Sequence, residues 1–176
     1  MTRVLLYIAI VISSLLSFTA CQKDGNKGGN SANVYNNDFE SHFGYTPHVE
    51  KGKGHSGECF YAMDSTTEYS LTFMKTFNKL STNSYAKVKY STFVLMPDAD
   101  NSAALTIQIW DGAGNPLKVE SKIVKASDIG QNKWVEVSAE LSLVGLYAGN
   151  NEIRCFVHNP LRQAIYLDDM RVELFQ

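Results

Sequence analysis

The stretch Ala164-Ile-Tyr-Leu-Asp-Asp-Met-Arg-Val-Glu-Leu-Phe175 decides how the chain is read. Ile165 and Leu167 occupy one parity of an extended strand, whereas Tyr166, Met170, Val172 and Leu174 occupy the other. The buried side therefore changes hands at Asp168-Asp169, which calls for a bulge or a local twist. Adjacent aspartates form strands poorly, and two neighbouring carboxylates repel unless water, a cation or a partner answers them.

Upstream, the same period of two recurs in short runs rich in Val, Ile, Tyr, Phe and Thr, separated by Gly, Asn, Asp and Pro. Residues 37–40 read as a short first strand, and 41–57 as an irregular loop holding His42, His48 and His55. Residues 58–64 place Cys59, Tyr61 and Met63 on one side, and 69–77 place Tyr69, Leu71, Phe73 and Phe77 on one side. Strands are expected over 85–96, 103–110, 117–124, 134–143 and 152–158, with Asp111-Gly-Ala-Gly-Asn-Pro116 as the strongest turn. No segment carries a convincing helical period. About nine or ten strands in one domain predict an all-β, two-sheet antiparallel jelly-roll sandwich.

The N-terminus has its own logic. Arg3 precedes an apolar run over 4–18, too short for a membrane span of roughly twenty residues and suited to a secretory signal. Ser17-Phe-Thr-Ala-Cys21 resembles the lipobox of bacterial lipoproteins, which implies cleavage after residue 20 and acylation of Cys21. Residues 21–33 are rich in Gly, Asn and Lys and read as a lipidated cysteine with a flexible tether, leaving 34–176 as the domain. The Cys-Gln-Lys-Asp start resembles the export signal of Bacteroidetes surface lipoproteins. That likeness implies an outer-membrane location, exposed at the cell surface, with a periplasm-facing anchor as the alternative.

Without the signal, fifteen basic and eighteen acidic side chains leave a net charge of −3. With no basic run and no aromatic RNA motif, no nucleic-acid surface is expected. Cys59 and Cys155 form a disulfide or stand as two buried thiols; an oxidising compartment permits the bond, and spacing does not decide.

Read in order, Asn37-Asp-Phe-Glu40, His55-Ser-Gly57 leading into a strand, the late strand opened by Trp134, and Ile165-Tyr-Leu-Asp-Asp-Met170 resemble the carbohydrate-binding-module-like jelly rolls of the galactose-binding superfamily. The resemblance implies first and last strands side by side, with a structural calcium held by Glu40, loop carbonyls and Asp169. Calcium takes about six to eight hard oxygen ligands, which suits such a set. A solvated acidic strand end is the alternative.

If Leu105, Ile107 and Ile109 face the core, Gln108 and Trp110 face out, as do Arg154, Phe156 and His158 in their strand. The resemblance puts both strands in one concave sheet. Trp110 is then the candidate platform for a pyranose ring, with Gln108, Arg154, His158 and Asn159 as polar neighbours. No metal-binding histidine pair, nucleophile elbow or spaced carboxylate pair is present, so no enzyme is expected. The functional expectation is a glycan-binding surface lipoprotein. The alternative is a structural or protein-interaction lipoprotein of an outer-membrane complex.

Overall fold

The computed structural model describes residues 33–80 and 84–176. The expected signal segment, the expected acylation site Cys21 and the expected tether as far as residue 32 lie outside the described residues.

The described chain is an all-β sandwich of two antiparallel sheets, as the alternating pattern predicts. Its elements are β1 (Asn33–Asn37), β2 (Val49–Lys51), β3 (Cys59–Met63), β4 (Phe73–Thr76), β5 (Lys87–Leu95), β6 (Ser102–Trp110), β7 (Pro116–Lys125), a four-residue helix α1 (Ala126–Ile129), β8 (Val135–Ser142), β9 (Glu152–His158) and β10 (Ile165–Phe175). One sheet has the order β2-β3-β10-β5-β8, with β1 also paired to β10; the other has the order β4-β9-β6-β7. The first and last strands do lie side by side, Asn33 opposite Leu174 and Asn37 opposite Met170.

Three stretches differ from the sequence reading, the strand expected over 69–77 being confined to Phe73–Thr76. The first strand ends at Asn37, and Glu40 opens a single turn of tight helix, Glu40–His42, entered through Phe39 at φ 61°. Loop 41–57 contains a short strand, β2, paired to β3.

The core lies between the sheets. Val88, Tyr90 and Val94 of β5 and Met170, Val172 and Leu174 of β10 meet Leu105, Ile107 and Ile109 of β6 and Ile153, Cys155 and Val157 of β9 there. Strand β10 is central and its bulge falls where the parity changes: Asp168 opposes Phe93 and Arg171 opposes Ser91, so Asp169 and Met170 together face Thr92. Asp169 sits at φ 47°, a left-handed conformation that aspartate tolerates better than most residues. The buried Thr92 hydroxyl pins the bulge by donating to the Asp168 carbonyl at 2.8 Å. The extra residue lets Ile165 and Leu167 before it, and Met170, Val172 and Leu174 after it, all face the core.

Cys59 and Cys155 are free and buried, so the candidate disulfide is not formed. They belong to opposite sheets. Burial pushes the Cys155 thiol far above its ordinary range.

Candidate functional site

Strands β6 and β9 are neighbours, so their outward side chains share one face of the four-stranded sheet. Cross-strand register arranges that face in rows. Thr76, Glu152 and Trp110 form one, with Pro116 at its end; Met74, Arg154, Gln108 and Val119 form the next. Further along come Phe156, Thr106 and Ser121, then Tyr69, His158, Ala104 and Ile123.

The predicted ligand residues divide into three groups. Trp110, Gln108 and Arg154 come together: the Trp110 indole donates to Gln108 Oε1 at 2.8 Å, and the Arg154 guanidinium lies 4.3 Å from the Trp110 ring centroid. One π-face of Trp110 is therefore covered by a cation, and Arg154 also donates to Glu152 at 2.6 Å. His158 lies in a separate row, stacked on Tyr69 with ring centroids 4.9 Å apart and planes 10° apart. Asn159 is fully buried, and its amide donates to the Gln163 and Thr67 carbonyls at 2.8 and 3.3 Å. It anchors the turn after β9 and does not reach the face.

Tyr69, read on one parity with Leu71, Phe73 and Phe77, does not share the burial of Phe73 and Phe77 and stands 52% exposed. Its segment leaves the regular strand at Ser70, whose backbone N–H donates to the Val157 carbonyl while its hydroxyl accepts from Val157 N–H, both at 2.9 Å. The ring covers Phe156 edge-on at 5.6 Å, which explains why an outward-pointing Phe156 is buried. Arg162 donates to Glu68 at 2.8 Å and His158 lies 3.5 Å from the same carboxylate. The Arg162 hydrogen bond holds Glu68 below the usual carboxylate range, and Glu68 in turn pushes the Tyr69 phenol up.

Strand β7 adds a second departure. Leu117, Val119 and Ile123 share the outward parity and are 45, 49 and 69% exposed, whereas Lys118, Glu120 and Lys122 take the core-side parity. Its apolar side faces away from the sandwich. With Met74 and Tyr69 at the opposite edge, this face carries large hydrophobic side chains that the described chain leaves uncovered.

No protein-family model and no curated protein matches the sequence. Solved structures do. A xylan-binding family 22 carbohydrate-binding module of Paenibacillus barcinonensis Xyn10C superposes at a TM-score of 0.54 with 13% identity, over 79% of this chain and 98% of that one. The C-terminal family 22 module of Clostridium thermocellum Xyn10B gives 0.54 and 12%, over 80% and 91%. The fold is that of a carbohydrate-binding-module jelly roll. At such identities the likeness fixes architecture, and the assignment of a ligand to this face must come from its own side chains.

The predicted calcium ligands lie at the other sheet. Glu40 Oε1 accepts from the Glu58 and Cys59 N–H groups at 2.8 and 2.7 Å, and the Cys59 bond leads in holding that carboxyl low. Asp169 is engaged by Ser56 Oγ and His55 Nδ1, each at 2.7 Å. Asp168, fully buried, accepts from the N–H groups of His55, Ser56 and Asp169 at 2.7, 3.1 and 2.7 Å. Burial nevertheless pushes its carboxyl up to about 6. Three oxygens, Cys59 O, Ser56 O and Asp168 Oδ2, each lie within 2.9 Å of where a Cβ on Gly54 would stand. Among the described residues no three His, Cys, Asp or Glu side chains cluster as a metal site, so carbonyls would have to complete any cation shell.

Proposed function

We propose that this chain is a non-catalytic glycan-binding module that presents the outer face of its four-stranded sheet to a polysaccharide. The observation that carries this reading is the exposed Tyr69 ring, held flat against His158 and flanked by the Glu68–Arg162 pair. Sugar C–H groups pack on such a ring while adjacent polar groups fix orientation. Trp110, Gln108 and Arg154 extend the same face as a second, partly covered platform. The architecture shared with xylan-binding modules supports the class of ligand. Isothermal titration against a panel of soluble polysaccharides tests the reading. Binding by the parent chain that Tyr69→Ala weakens is expected; a parent that binds none of them overturns it.

The aliphatic side chains Met74, Val119 and Ile123 on this face favour the second reading, a docking surface for an outer-membrane protein.

Calcium is proposed as a folding element. What supports it is the set of hard oxygens converging beside Gly54, with Glu40 and Asp169 binding the flanks of the same loop. When bound, the ion would neutralise that cluster and rigidify the loop. The lipid anchor on Cys21 and display at the outer-membrane surface are proposals on the sequence alone. Labelled palmitate in the parent but not in Cys21→Ala is the expected result, and equal labelling of both removes the anchor.

A further inference from the structure

Strand β7 closes one end of the four-stranded sheet and, among the described residues, pairs with β6 on one side only. All its residues except Val124 are exposed. A free edge of ten residues offers a row of unpaired backbone groups. Natural edges are often blunted by charge, and β7 does carry Lys118, Glu120 and Lys122. Their order, however, is not that of a repelling edge. Val119-Glu120-Ser121-Lys122-Ile123 reads, outward from Ser121, as acid against base and then apolar against apolar.

We infer that β7 is a self-pairing edge, joining two copies of this chain in an antiparallel, two-fold symmetric dimer centred on Ser121. In that register Glu120 opposes Lys122 of the second copy, twice by symmetry. Val119 opposes Ile123 of the second copy, also twice. The overlap runs over residues 117–125, nearly the whole strand. The alternatives are worse. Centring on Glu120 sets like carboxylates opposite each other and Lys118 opposite Lys122. Centring on Val119 keeps one kind of ion pair, shortens the overlap and sets Pro116, which has no N–H, inside it. A two-fold interface needs a self-complementary patch, and this strand supplies one.

A second observation fits the same occupant. A groove of about 300 Å³ runs along the C-terminal half of β7, between Val124, Ile129, Val135 and Val137, with Asp128 and Glu136 at its rim. The partner strand would run along this half of β7. Lys118 of the second copy would arrive opposite Val124, beside those two carboxylates. Pairing would also join the outer faces of the two four-stranded sheets into one surface twice as wide.

Sedimentation of the purified full chain over a concentration series tests the inference. A reversible dimer is expected. Lys122→Glu should weaken it by about tenfold or more, since each good cross-strand pair becomes a repelling one. The charge exchange Glu120→Lys with Lys122→Glu should restore it, which the Val119-centred register does not allow. Ser121→Cys should yield a disulfide-linked dimer on oxidation, and Glu120→Cys much less. All these side chains are exposed, so circular dichroism and melting should match the parent. A parent that sediments as a monomer throughout, or a dimer indifferent to Lys122→Glu, overturns the inference.

Discussion

On the six-stranded sheet the chain folds back over its own outer surface, whereas on the four-stranded sheet the described residues leave comparable side chains bare. Loop 52–58 lies against β10 and is tied there by Asp168, Asp169 and Glu40. Beneath and beside it the aromatic rings find each other: His55 stacks on Phe93 at 3.4 Å, and Trp134 meets Phe60, which meets Tyr166. On the other sheet the described residues give Tyr69, Met74, Val119 and Ile123 no such cover. Rings alone therefore do not mark a binding face. What marks it is rings and aliphatic groups that the chain holds in position without covering.

The largest expected effect breaks the covered side. Asp168→Ala removes the acceptor for three N–H groups, two of them from the loop, and leaves part-buried donors unpaired. A loss of about 3 kcal/mol is expected in urea unfolding. A change under about 1 kcal/mol would mean that the loop is held by its aromatic contacts instead.

Next comes the cation. If calcium fills the oxygen cluster, chelation should lower the melting temperature. Removing an ion present at about a hundred times its dissociation constant costs about 2.7 kcal/mol. Gly54→Ala, whose Cβ would stand within 2.9 Å of three oxygens, should abolish that response. Identical melting with and without chelator removes the ion from the account.

How much of this contrast could be read beforehand follows from where the signal was local. The bulge at Asp168-Asp169 was legible because apolar residues on both sides changed parity, and nothing distant was needed to see it. The outward placement of Gln108, Trp110 and Arg154 was likewise a matter of alternation within clean amphipathic strands. The strand Asn33–Asn37 was not legible: Asn-Val-Tyr-Asn-Asn has a tether's composition, and it is extended because β10 offers it an edge. Tyr69 does not share the burial of Phe73 and Phe77 because the strand breaks at Ser70, through hydrogen bonds to a residue 87 positions away. Asn159 reads as a polar neighbour of the ligand face by its place next to His158, but the chain turns immediately after it and consumes its amide. For β7 the alternation was plain. Which parity faced the core required the register with β6.

A paired substitution separates the two faces by function. Tyr69→Ala should weaken glycan binding by about tenfold and lower unfolding stability only by the partial cover its ring gives Phe156. Trp134→Ala, which removes a ring packed on Phe60 and His55, should do the reverse. Trp110→Ala should fall between, since Arg154 already occupies one side of that ring. Calorimetry and urea titration on the same three proteins check this. Equal loss of binding in Tyr69→Ala and Trp134→Ala would erase the distinction between the faces.

The smallest expected effect is the most direct measure of an uncovered side chain. Met74 stands on the bare face, 54% exposed, opposite Arg154 on an edge strand. If no further part of the chain covers it, Met74→Ser removes apolar area of which folding leaves more than half in water. The unfolding free energy should then stay within about 0.5 kcal/mol of the parent. The same substitution on the covered side, Phe60→Ser, takes a ring out from between Trp134 and Tyr166 and should cost several times more. A Met74→Ser protein destabilised as much as Phe60→Ser would mean that in solution something covers the four-stranded face too. Repeating the measurement at high and low protein concentration would then tell a second copy from a segment of the same chain, because only the former gives a stability that rises with concentration.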